Sequence, residues 1–163
     1  ELINRGYRKA GFLAGPLSAT STRDRHTGFA EELGRHPDVS LSVSYAAAYS
    51  FNAGRDEMAR VLAMGPAEAY FCGDDVLSIG ALSAIKDAGL SVQGDVGILG
   101  LSNMEMAGWA NINLTTIHNP IRQIIASSIE LIEASLRDGS RYPEARLFAC
   151  TIVERGTLRP LPT

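Results

Sequence analysis

Arg25, Tyr49, Asp74, Ser102, Asn103 and Asn119 are far apart in the chain, yet each follows the end of a short apolar run. Runs of β character end at Ala14, Tyr45, Cys72, Leu101 and Ile117. In an open parallel sheet, ligands bind beyond the carboxyl ends of the strands. That rule selects Leu17, Ser18, Arg23 and Arg25 after the first run and Tyr49 after the second. Asp74 and Asp75 follow the third, Ser102 and Asn103 the fourth, and His118 and Asn119 the fifth. Arginine offers a rigid fork of donors, and Asp or Asn accepts or shares hydroxyl protons. An aromatic ring covers the apolar face of a sugar while water is excluded. The set suits a polyhydroxylated small molecule, a sugar or related polyol.

Each residue also has a plainer reading. Arg25 alone reads as a solvated helix arginine and Arg23 as a surface or loop-bracing group. Asp75 sits at a helix start, where a carboxylate caps backbone N–H groups and suits the dipole. Asp74 divides evenly between cap and ligand group. Tyr49 could close a loop over the core, and Ser102 and Asn103 could cap the next turn.

Catalytic signatures are absent. The sequence has no GxSxG elbow, no Walker A loop, no GxGxxG after a strand and no HExxH. Asp74 and Asp75 are adjacent, which does not place two carboxyls across a substrate. His26, His36 and His118 have no partner at useful spacing. No catalytic residue, metal or cofactor is therefore expected.

Short alternating elements must position these side chains. Glu1–Arg5 reads as the last turns of a helix stopped by Gly6, so a further segment is expected upstream. Strands are expected at 8–14, 39–45, 67–72, 96–101, 114–117 and 147–153. The VSLSVSY run alternates as a half-buried strand does, and VGILGL is apolar throughout, as a central parallel strand should be. Helices are expected from Thr22 to Gly34, capped by hydroxyls of the Ser18–Thr22 cluster, and from Ser50 or Asn52 to Gly65. A third runs from Asp74 or Asp75 to Gly89. The last opens at Pro120 and runs to Asp138, with Gly139 as its stop. The tail 157–163 is proline-rich and reads as loose. The fold class is α/β: an open, mostly parallel sheet with helices on both faces, joined by right-handed crossovers.

Composition agrees with that class. The 163 residues are 45% hydrophobic and 20% charged, as in an ordinary globular protein. A net charge of −3 supplies no field to draw nucleic acid or an anionic membrane. No apolar run approaches the roughly 18 residues of a membrane span, and no signal peptide is visible. Cys72 and Cys150 lie in apolar runs without a CxxC pair, which reads as buried free thiols.

Several of these segments share their order and spacing with a known family. They are GYRKAGFLAGP, Arg25 followed by HTGF, CGDDVLSIGALSAIKDAGLSVQGDVGILGLSN, LTTIHNP and VERGT. In these the chain resembles the C-terminal part of LacI/GalR-type bacterial transcriptional regulators, over nearly its whole length. The resemblance implies a periplasmic-binding-protein-like, flavodoxin-like half. Residues 6–118 and 145–156 would form the C-terminal subdomain, and the helix in 119–142 would belong to a truncated N-terminal subdomain. On that resemblance the DNA-binding headpiece would lie outside these residues, and the effector would be a sugar- or, second, a nucleobase-type molecule. The resemblance further implies a cytoplasmic homodimer whose effector site includes Arg25, Tyr49, Asp74 and Asn119, and which reaches operator DNA only through the missing headpiece. Asp75 matches the helix-capping Asp of that pattern. Where the family carries an acidic pair after the fourth strand, this chain has Ser102 and Asn103, which leaves the effector open. The long helix should bury its Ile121, Ile124, Ile125, Ile129, Ile132 and Leu136 face against the chain itself or a second copy. The alternative reading is a periplasmic sugar-binding receptor of a transport system, which shares the fold and the cleft.

Overall fold

The structure, a computed structural model, describes residues 1–138 and 144–162. After a 3₁₀ turn at Ile3–Arg5 the order is β1 (Lys9–Ala14), α1 (Thr20–Leu33), β2 (Ser40–Tyr45), α2 (Phe51–Met64), β3 (Ala69–Cys72), α3 (Asp75–Asp87), β4 (Gly97–Leu101), a 3₁₀ turn (Glu105–Gly108), β5 (Thr116–His118), α4 (Ile121–Arg137) and β6 (Thr151–Val153). The sheet runs β2-β1-β3-β4-β5-β6. Its first five strands are parallel, and β6 lies antiparallel on β5 at the edge. The open, mostly parallel α/β sheet expected from the sequence is the observed fold.

Strand alternation builds two cores. On β1, β3 and β4 the side chains of Leu13, Tyr70, Cys72 and Ile98 face α2 and α3, where they meet Met58, Leu82 and Ile85. Their neighbours Phe12, Phe71, Leu99 and Leu101 face the other way, toward Leu33, Phe29 and Tyr7. Successive residues of a strand point to opposite faces, so these short apolar runs serve both layers at once.

Several boundaries differ from the sequence reading. α1 begins at Thr20 with Ala19 at its N-cap and no side-chain cap. Thr22 then falls in the first turn, and its hydroxyl meets Tyr49 instead. α2 is capped by Ser50, which accepts from Ala53 N–H. β6 covers only Thr151–Val153, because β5 offers three residues to pair with before Pro120 diverts the chain. Cys150, just before β6, is exposed rather than buried. The tail is docked rather than loose through Leu158. Thr157 Oγ1 donates to Ile98 O at 2.7 Å, and Gln93 Nε2 donates to Leu158 O. Leu158 is buried and Arg159 stacks over the Tyr7 ring. Gly139, expected to stop α4, lies outside the described residues.

α4 stands apart from this body. It has no extended contact with any other element, and Ile121, Ile125, Ile129, Ile132 and Leu136 are all exposed. The expected apolar stripe is present; Ile124 is half-buried, and Arg146 reaches back to Ser127 and Glu130 of the helix, but the other five stripe residues stay exposed.

Candidate functional site

The carboxyl ends of β1 to β5 converge on one edge of the sheet, and the order 2-1-3-4-5 reverses between β1 and β3. Such a reversal leaves a crevice between the outgoing loops. Arg25 spans it. From the second turn of α1 its Nη1 donates to Gly73 O, just past β3, at 2.9 Å, and to Tyr49 Oη, past β2, at 3.3 Å. Tyr49 Oη also pairs with Thr22 Oγ1 at 2.7 Å. The Tyr49 ring lies against the backbone of Gly15 and Gly73, and a Cβ on Gly15 would overlap it. Three strand ends are thus tied together by one guanidinium and one phenol. Only Nη1 of Arg25 is engaged. Among the described residues its Nε and Nη2 have no hydrogen-bond partner, so the outer edge of the fork is open.

Asp74 sits beside this group. It caps α3, with Oδ1 accepting from Leu77 N–H at 2.7 Å. Burial pushes its carboxyl above the usual range, with the Asp75 charge adding to the rise. The Leu77 N–H and the Arg25 guanidinium oppose it. The sequence left the cap open between Asp74 and Asp75, with Asp75 the favoured cap and Asp74 divided between cap and ligand group. The structure gives it to Asp74, one residue earlier, and buries Asp75 completely beneath the next loop.

The other wall is formed by the ends of β4 and β5. Ser102, His118, Asn119 and the first turn of α4, including Arg122 and Gln123, line a cleft of ≈ 570 Å³. The Ser102 hydroxyl has no protein partner among the described residues. Asn103 is held from behind. Its Oδ1 accepts from Arg155 Nη2 at 2.8 Å, and its Nδ2 lies 3.5 Å from His118 Nδ1. Asn119 Oδ1 is engaged by the Cys150 thiol at 3.2 Å.

The six residues chosen from the sequence therefore fall into two groups on one edge. Arg25, Tyr49 and Asp74 adjoin one another, Ser102 and Asn119 line the second wall, and Asn103 turns toward Arg155. Thr22 and Arg155 were missed as partners. Arg155 lies in the VERGT segment, but its reach back to Asn103 depends on β6 returning beside β5. Among the described residues no His, Cys, Asp or Glu cluster could hold a metal ion, and no helix is long and apolar enough to cross a membrane. What the edge presents is a donor fork, a carboxyl, a hydroxyl, an amide and a ring, which is equipment for holding a polar small molecule.

Known proteins match this chain over nearly its whole length. Residues 1–158 match the model of the periplasmic binding protein-like domain. The chain is 30% identical to the HTH-type transcriptional repressor CytR of Escherichia coli over 164 aligned positions, covering 99% of this chain and 48% of that protein. It is 33% identical to the repressor PurR of Yersinia enterocolitica with the same coverage. Among solved structures, the lac repressor dimer bound to operator and the anti-inducer ONPF superposes with a TM-score of 0.88 at 27% identity, over 98% of this chain and 55% of that one. A LacI-family regulator from Corynebacterium glutamicum gives 0.84 at 26% identity, over 98% and 62%. The chain spans about half the length of the curated relatives it matches. These relatives are transcriptional repressors, and the chain belongs to the family of periplasmic binding protein-like domains, in the form that LacI-family regulators carry in their C-terminal portion.

Proposed function

We propose that this chain is the ligand-sensing part of a cytoplasmic, non-catalytic transcriptional regulator, and that the edge described above binds its small effector. The observation that carries the reading is Arg25, which ties three strand ends together and leaves the outer edge of its fork open beside Asp74. In the proposed site Arg25 and Asp74 grip hydroxyl or carbonyl groups, the Tyr49 ring covers an apolar face, and Ser102, Asn103 and Asn119 supply neutral contacts from the second wall. The ligand class that fits is a sugar or related polyol. α4 belongs to a second subdomain whose remainder lies outside this chain, so that the complete cleft has two walls on each side of a hinge. An effector that prefers one hinge state shifts the population of the other, and only that difference in affinity can reach a DNA-binding segment. Operator DNA would be reached through that segment, by a homodimer.

Calorimetry on the full-length protein that carries this chain tests the reading. The ligands are D-ribose, D-galactose and hypoxanthine, and the comparison is Arg25→Ala. Loss of a charge-assisted hydrogen bond of about 1.5–3 kcal/mol lowers affinity roughly tenfold or more. An Arg25→Ala protein that keeps every affinity of the parent overturns the site.

A second reading, a periplasmic sugar receptor, draws on the description of the matched domain itself. The coding sequence upstream of Glu1 separates the two: a helix-turn-helix supports the regulator, and a secretory signal supports the receptor.

A further inference from the structure

Asp75 is buried completely, and both its carboxylate oxygens have assigned partners. Oδ2 accepts from Met104 N–H at 2.7 Å, and Oδ1 accepts from Thr116 Oγ1 at 2.6 Å. Thr116 Oγ1 in turn accepts from Asn103 N–H at 3.3 Å. Gly100 makes the docking feasible, because a Cβ there would overlap Asp75 Oδ1. The segment held in this way is unusual. Ser102 and Asn103 have φ of 114° and 50°, two successive non-glycine residues in left-handed backbone. Such backbone is costly for a residue with a side chain and persists only where its surroundings over-determine it. The β4–β5 ladder fixes Ser102 through its N–H to Ile117 O at 2.8 Å. Beyond that point the ladder has ended, and the next two amides of the turn answer to Asp75.

We infer that Asp75 is a positioning residue for the cleft. Its carboxylate, seated over Gly100, acts on Met104 directly and on Asn103 through Thr116, and so holds the Ser102–Asn103 turn in the left-handed shape that presents Ser102 to the second wall. A carboxylate suits the task because it accepts from two converging donors and has no proton to offer either. The same residue begins α3 one position after the cap Asp74, so the two cleft walls are set from consecutive residues of one helix start. The significance of the turn for a ligand rests on the effector reading above, whereas its geometry does not.

The test is native-state amide hydrogen exchange by NMR on the 163-residue protein, with no effector added. In Asp75→Asn both the Met104 and the Asn103 amides exchange about tenfold faster than in the parent, and in Thr116→Val the Asn103 amide does, the loss of one hydrogen bond of ordinary net strength. The Tyr70 and Ile98 amides of the central strands shift only with global stability. Thr116→Ser, which restores the hydroxyl, returns the Asn103 amide to parental protection. If Asp75→Asn does not fold, the Thr116→Val and Thr116→Ser pair decides alone. Turn amides that move only in step with Tyr70 and Ile98, or a Thr116→Ser protein no better protected than Thr116→Val, overturn the inference. A failed calorimetric test would leave this result standing, and a failure here would leave the calorimetric test intact.

Discussion

Helices α3 and α4 carry similar apolar side chains at helical spacing and meet opposite surroundings. In α3, Leu77 and Ile85 are at 0% exposure and Leu82 at 2%. In α4, Ile121, Ile125 and Ile129 are each at 53% and Leu136 at 82%. Helical stability comes mostly from packing an amphipathic face, so a stripe of this size is written for a partner surface. α3 finds its surface inside the chain, on β3, β4 and α2. α4 does not, and contiguous exposed apolar area of this kind marks an interface. The contrast teaches that one sequence can bury one apolar helix face against its own elements and leave another, of similar composition, open to solvent.

The comparison breaks first on stability. Leu82→Ala should lower the unfolding free energy by about 2–5 kcal/mol, whereas Ile129→Ala should stay within about 0.5 kcal/mol in this chain. Urea denaturation of the two variants measures the gap, and equal losses would mean that α4 is packed after all.

Self-association sharpens it next. Analytical ultracentrifugation of the 163-residue protein should show species larger than a monomer, and the double change Ile125→Glu and Ile129→Glu should return it to monomer. A parent that is strictly monomeric would remove self-covering of the α4 face.

Within the body, Asp74 makes a finer probe. Asp74→Ala removes the α3 cap at about 1 kcal/mol, while Asp74→Asn keeps an acceptor for Leu77 N–H. The folded carboxyl titrates above its unfolded value. The native state therefore binds the proton more tightly, and this residue's contribution to stability falls as pH rises from the unfolded pKa through the folded one. Asp74→Asn should abolish that slope in a pH series of denaturation midpoints, and an unchanged slope would assign it elsewhere.

The smallest effect is chemical and does not perturb the fold. Cys72 lies in the body, fully buried, and burial pushes its thiol up to about 12. Cys150 lies just before β6 and is exposed. A thiol reagent at neutral pH should label Cys150 in the folded protein and reach Cys72 only after denaturant is added.

Much of this was readable from the residues. The strands of the body were legible because each is a short apolar or alternating run, and those of β1 and β3 are closed by Gly15-Pro16 and Gly73-Asp74. The strand-end rule then placed Arg25, Tyr49, Asp74 and Ser102 on a common edge. What could not be read were contacts made across many intervening residues. Asp74 and Asp75 are identical in type and adjacent. Which one caps and which one is buried depends on Gly100 and Thr116, whose place beside them is fixed only by the parallel register of β4 and β5. Cys150 looked like core because its neighbours are apolar, but β5 is too short to extend the sheet to it. The tail looked loose because prolines punctuate it, although Leu158 has a site prepared beneath Tyr7. The apolar stripe on α4 was read correctly, while its partner surface is not encoded in the described residues.

One further consequence follows from the pairing of β5 with β6. His118 and Thr151 are direct neighbours across that antiparallel ladder, so everything between them is an excursion that leaves and returns at a single place. Replacing residues 119–150 by a short hairpin turn should therefore close the body on itself. The docked segment from Glu154 to Arg159 would stay where it is, and a smaller domain should result that keeps the six-stranded sheet and the edge formed by Arg25, Tyr49 and Asp74.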